Sequence, residues 1–104
     1  MSVNYGADFG LGYTVTSTEE LDNLGILDDG LLEYLQNYTG GDFWAFDSGC
    51  RYSGDVYGTY LTICNPLKHG LDLTEVKKNL DKEVIRLRLE TIGEFGVVGG
   101  LLTY

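Results

Sequence analysis

Apolar and polar positions alternate with a period of two over residues 10–16, where Leu11, Tyr13 and Val15 are separated by Gly12 and Thr14. That spacing predicts a short, half-buried strand. Residues 1–9 before it read as a loose arm or as a first strand. Ser17 and Glu20 then match a capping box, in which the hydroxyl takes an orphan amide and the carboxylate reaches back. The helix they open is short, because Asn23 and Gly25 end it. Asp28 or Asp29 is placed to cap a second helix whose Leu31, Leu32 and Leu35 face inward, and Gly40 and Gly41 stop it.

Two further alternating runs cover residues 42–50 and 56–64. In the first, Phe43, Ala45 and Asp47 fall on one face and Trp44, Phe46 and Ser48 on the other; in the second, Tyr57, Thr59, Leu61 and Ile63 alternate with Gly58, Tyr60 and Thr62. The turn-forming residues between them predict an antiparallel hairpin. Asn65 and Pro66 break the second strand, and Asp72 with Glu75 signals a helix running through Val76 and Leu80. Beyond Leu80 two patterns compete. Val76, Leu80, Val84 and Leu87 continue a helical stripe, whereas Ile85, Leu87 and Leu89 alternate as in a strand. β-Branching at Val84 and Ile85 tips the reading towards a strand over residues 84–92. Val97, Val98, Leu101 and Leu102, punctuated by glycines, suggest a last strand. The sum is a single small α+β domain over residues 1–104: a mostly antiparallel sheet with two or three short helices packed on one face.

Composition adds detail to this picture. Fifteen glycines against one proline point to tight turns or close backbone approach, and eight tyrosines suggest half-buried sheet positions together with a contact surface. The first residues carry neither a basic nor an apolar leader-like segment, and no apolar run is long enough for a transmembrane helix. The expected location is therefore cytoplasmic. In that setting Cys50 and Cys64 read as reduced thiols, with a bridge between adjacent strands as the alternative.

No catalytic constellation emerges. The one histidine, His69, sits between Lys68 and Gly70 in an expected turn. Arg51 beside Cys50 is weak activation for a thiol. The glycines at 96, 99 and 100 form neither a P-loop nor a dinucleotide fingerprint. The stretch from Asp22 to Glu33 has the length of a calcium-binding loop, but Leu24 and Ile26 occupy ligand positions and Leu27 stands where the turn needs glycine. The expectation is a non-enzymatic protein with no cofactor and no metal.

Charge is the informative property. Residues 1–50 hold nine acids (Asp8, Glu19, Glu20, Asp22, Asp28, Asp29, Glu33, Asp42 and Asp47) and no lysine or arginine. Residues 51–104 hold seven of each sign, so the whole net charge of −9 belongs to the first half. A single-sign surface is not cancelled within the screening length of about 8 Å, so it repels nucleic acid and anionic membranes and steers basic partners in. Duplex DNA carries one charge per about 1.7 Å of axis, and the proteins that hold it offer matching basic grooves.

The functional expectation is an acidic inhibitor that occupies a basic, nucleic-acid-binding surface of a partner protein, as a DNA mimic would. Its expected contacts are Glu19, Glu20, Asp22, Asp28, Asp29, Glu33, Asp42 and Asp47. It is expected to bind neither nucleic acid nor membrane directly. In size, acidity and lack of motifs the chain resembles phage-encoded inhibitors of host nucleases, restriction systems and CRISPR effectors, which act in the host cytoplasm. Two alternatives come from other classes: an immunity protein or antitoxin for a basic toxin, and a structural subunit that oligomerises through its tyrosines and glycine-rich apolar tail.

Overall fold

A computed structural model describes residues 5–26, 30–40, 43–50, 53–63 and 73–103. The elements are β1 (Tyr5–Ser17), α1 (Glu19–Asn23), α2 (Leu31–Tyr38), β2 (Phe43–Cys50), β3 (Asp55–Ile63), α3 (Leu73–Arg86) and β4 (Leu89–Thr103). The predicted α+β class is what forms, and the hairpin of β2 and β3 is antiparallel, pairing Phe43 with Ile63 through Cys50 with Asp55. Cys64, His69, Pro66 and Asp72 lie outside the described residues.

The sheet does more than the alternation predicts. Its order is β1-β3-β2-β4, and β4 returns to β1, so the four strands close into a barrel. β1 pairs antiparallel with β4 from Tyr5 opposite Thr103 to Ser17 opposite Leu89, which draws residues 5–9 into the strand. The closing contact of β2 with β4 is parallel and short, Gly49 opposite Leu102 and Cys50 opposite Thr103.

So small a barrel has little room inside. Phe46, Ser48, Tyr60 and Thr62 fill the interior at 5%, 3%, 7% and 0% exposure, and the Ser48 and Tyr60 hydroxyls share a 2.7 Å hydrogen bond. The neighbouring strands yield by presenting glycine. A Cβ on Gly12 would lie 2.0 Å from the Leu61 carbonyl oxygen, and one on Gly100 would lie 2.9 Å from Ser48 Cβ. The glycine excess in the sequence is thus partly the cost of closing a barrel with four strands.

The outward, odd-numbered face of the strands carries the helices. Tyr13, Val15, Ala45, Leu61 and Leu89 pack there with Leu21 of α1, Leu31 and Leu35 of α2, and Leu80 and Val84 of α3. Burying each of these leucine or valine side chains is worth about 1.5–3 kcal/mol.

Two local expectations are corrected. Residues 84–86 are helical, not strand, and β4 starts at Leu89. Burial decides it: Val76, Leu80, Val84 and Leu87 form one stripe at 1%, 0%, 7% and 1% exposure, while Ile85 points to solvent at 76%. Core packing of that stripe outweighs the mild helix penalty of β-branching. Arg88, at φ 61°, then ends the helix in the left-handed region. The capping box is also displaced. The N-cap of α1 is Thr18, which makes no side-chain cap bond and instead donates its hydroxyl to the Arg88 carbonyl at 2.7 Å. At the start of α2 the N-cap is Gly30, and Asp28 and Asp29 lie outside the described residues.

Candidate partner-binding face

Leu21, fully buried, pins α1 against the sheet and leaves Glu19, Glu20 and Asp22 exposed around it. Ser17 donates its hydroxyl to an Asp22 carboxylate oxygen at 3.1 Å. Leu31 and Leu35 do the same for α2, so Glu33 stands on its outer side. Four of the eight expected contacts are therefore surface carboxylates on two short helices that follow one another in the chain. Asp28, Asp29 and Asp42 lie outside the described residues.

Asp47 is not part of this surface. It is 5% exposed in β2, on the same strand face as Ala45 and opposite Thr59. Strand alternation placed it correctly beside Ala45, but closure of the sheet and the helical layer bury that face. An interior carboxylate cannot meet a partner, so Asp47 leaves the candidate set.

The fold also brings bases from the second half of the chain onto the acidic helices. Arg88 Nε lies 3.1 Å from Glu20 Oε1, with both side chains largely in solvent. Such exposed pairs contribute about 0–1 kcal/mol. Arg86, ion-paired with Glu83, donates through Nη2 to the Tyr38 carbonyl at 2.6 Å. That places a cation at the carboxyl end of α2, where the helix dipole favours it. Charge counted by halves of the sequence thus overstates the asymmetry in space. Among the described residues Glu19 and Glu33 have no cationic partner.

Beside Glu33 lies an open concavity of about 260 Å³, lined by Ile26, Gly30, Glu33, Tyr34, Asn37 and Tyr38. The Tyr34 and Tyr38 rings stand 5.2 Å apart, and Tyr34 donates its hydroxyl to the Leu87 carbonyl at 3.0 Å. Tyr38 is 61% exposed. A carboxylate next to an exposed aromatic ring suits an arginine or lysine side chain, which gains both an ion pair and a cation–π contact. Sequence reading singled out Glu33 but neither tyrosine. Their i, i+4 spacing on a predicted helix was the available signal.

A polar cluster lies under α3. Tyr13 donates its hydroxyl to Asp81 Oδ1 at 2.5 Å, and Lys77 Nζ bonds Asp81 Oδ2 at 3.0 Å. Burial first, and then the Asp81 bond, push the Tyr13 phenol above its usual range. Burial opposes ionisation of Asp81, but hydrogen bonds from Tyr13 and Lys77 prevail and hold its carboxyl below the usual range. The bond to Asp81, followed by that to Tyr13, raises Lys77. This cluster clamps α3 to β1.

Among the described residues no three His, Cys, Asp or Glu side chains come together to hold a metal, and no helix is long and apolar enough to cross a membrane. A comparison with protein families, curated proteins and solved structures finds no match for this chain.

Proposed function

We propose that this chain is a non-enzymatic binding protein whose acidic N-terminal helices occupy a basic, nucleic-acid-binding surface of a partner protein and so inhibit it. The observation that carries the reading is the exposure of Glu19, Glu20, Asp22 and Glu33 on α1 and α2, consecutive helices of a half-chain that has no lysine or arginine. Carboxylates held on short, leucine-anchored helices lose little freedom on binding and meet a basic groove as phosphates would. The exposed Tyr38 ring beside Glu33 adds an anchor of the kind found at the centre of protein interfaces. Inhibition of a host nuclease, restriction system or CRISPR effector by a phage product is the setting that fits such a mimic.

The test is affinity capture from a bacterial lysate, comparing the native chain with a Glu19→Lys, Asp22→Lys, Glu33→Lys variant. Nucleic-acid-binding proteins held by the native chain and released from the variant support the reading. Capture of the same proteins by both would refute it.

A further inference from the structure

Helix α2 turns two rows of side chains, each at i, i+4 spacing, towards one concavity. Glu33 and Asn37 make a polar row; Tyr34 and Tyr38, with Gly30 ahead of them, make an aromatic one. The space is about 260 Å³, below the roughly 300–1,000 Å³ of sites that enclose a whole small molecule, so it suits a single side chain. Its aromatic wall is held from outside the helix. The Tyr34 hydroxyl is committed to the Leu87 carbonyl at 3.0 Å, and the Tyr38 carbonyl accepts from Arg86 Nη2 at 2.6 Å. Gly30 leaves the head of the concavity open, since a Cβ there would meet nothing within 4 Å.

Charge and shape select the occupant. Among the described residues no cation pairs with Glu33, whereas Glu20 has Arg88 and Glu83 has Arg86. A cation entering the concavity meets a carboxylate in one row and a 61% exposed ring, that of Tyr38, in the other. Both contacts favour a positive charge. Lysine brings a compact, strongly hydrated ammonium that cannot fork onto a carboxylate. Arginine brings a planar group whose edge donates two parallel hydrogen bonds while its face lies on an aromatic ring. The planar cation therefore uses both rows at once.

We infer that this concavity on α2 is an arginine site, which takes one arginine side chain of the partner protein with its guanidinium donating to Glu33 and lying against the Tyr38 ring. That the arginine belongs to a partner protein rests on the proposed function; the preference of the site for arginine over lysine does not. Gly30 offers a way to close the site without touching charge. Its φ of −99° and ψ of 0° are open to residues with a side chain, and because Gly30 lines the concavity a leucine there takes up part of it.

The full chain is titrated with N-acetyl-arginine amide at constant ionic strength, and the ring resonances of Tyr34 and Tyr38 are followed by NMR. They are expected to move with a dissociation constant on the order of 10 mM, the scale of one exposed ion pair and one ring contact. N-acetyl-lysine amide should bind at least about fivefold more weakly. Gly30→Leu, which keeps every carboxylate and the net charge of −9, should weaken arginine binding at least about fivefold, as should Glu33→Gln. Tyr38→Ala, at an exposed ring, gives a second reading if Gly30→Leu loses its native circular dichroism. Tyrosine resonances unmoved at about 100 mM would overturn the inference. So would equal affinity for the two amides, or arginine binding unchanged by the variants. In lysate capture Gly30→Leu should hold the partner more weakly than the native chain does. Intact capture without arginine binding would overturn this inference alone, and arginine binding without capture of any basic protein would sink the acidic-face reading instead.

Discussion

Gly12 and Gly96 stand directly opposite each other in β1 and β4, yet the structure assigns them opposite tolerances. A Cβ on Gly12 would lie 2.0 Å from the Leu61 carbonyl oxygen and 2.7 Å from Thr62 Cα, both backbone atoms of β3. No side-chain rotation relieves that overlap; the strands themselves must separate by more than about 1 Å to reach ordinary contact. Among the described residues β1 pairs with β3 from Gly12 opposite Thr62 to Val15 opposite Thr59, so the displacement acts at the end of that pairing. Overpacking costs about 1–3 kcal/mol, and loss of one or two ladder hydrogen bonds adds about 1 kcal/mol each, giving roughly 2–5 kcal/mol for Gly12→Ala. A small domain is stable by about 5–15 kcal/mol, so this one methyl group removes a large share. The melting temperature should fall by about 10–25 °C. A Cβ on Gly96 meets nothing within 4 Å, so Gly96→Ala should fall within about 1 kcal/mol of the native chain, on the stabilising side through reduced freedom of the unfolded state. Urea unfolding followed by circular dichroism gives both values. The closed four-stranded barrel is refuted if Gly12→Ala unfolds within about 1 kcal/mol of the native chain, or if both alanines cost the same.

Three further predictions follow from other parts of the structure. Tyr13→Phe removes the hydroxyl that donates to Asp81 and should cost about 1–2 kcal/mol at neutral pH, since Asp81 is partly solvated. Asp81 is depressed in the folded state, so its contribution is present above its unfolded pKa and lost as pH falls through the folded one; Tyr13 is raised, so its contribution is lost as pH rises through its folded value. Stability measured across pH should therefore drop at both ends in the native chain and less steeply in Tyr13→Phe. Leu35→Ala, at a fully buried site, should cost about 2–5 kcal/mol, and Ile85→Lys less than about 0.5 kcal/mol; the reverse order would return residues 84–86 to a strand. Replacing Glu19, Asp22 and Glu33 by lysine together should shift the melting temperature by only a few degrees, because none is buried. A large loss in that variant would make these carboxylates structural.

Local signals carried much of this fold. The alternation of β2 and β3 located their faces, and the leucines at 31 and 35 identified the inward side of α2. Long-range effects were hidden. β4 read as fragments because Gly93, Gly96, Gly99 and Gly100 interrupt its apolar pattern, yet two of those breaks answer to other strands: Gly93 opens a bulge opposite Tyr13 at φ 79°, and Gly100 makes room for Ser48. The helical end of α3 was misread because β-branching at Val84 and Ile85 is a local preference, and the stripe that overrides it gains its energy from the sheet. Of the candidate site, the exposed carboxylates followed from helix periodicity. The burial of Asp47 and the arrival of Arg86 and Arg88 beside α1 and α2 depend on closure of the chain, which no local window contains.

The acidic face is tested most directly by the affinity of the captured basic partner, measured for the native chain and for the Glu19→Lys, Asp22→Lys, Glu33→Lys variant at about 50 and about 300 mM NaCl, with duplex DNA as competitor. The native chain should lose at least about tenfold in affinity over that range and should be displaced by the DNA. The variant should bind at least about tenfold more weakly at low salt and respond little to added salt. An affinity unchanged by the three substitutions, flat in salt and indifferent to DNA, would contradict the account.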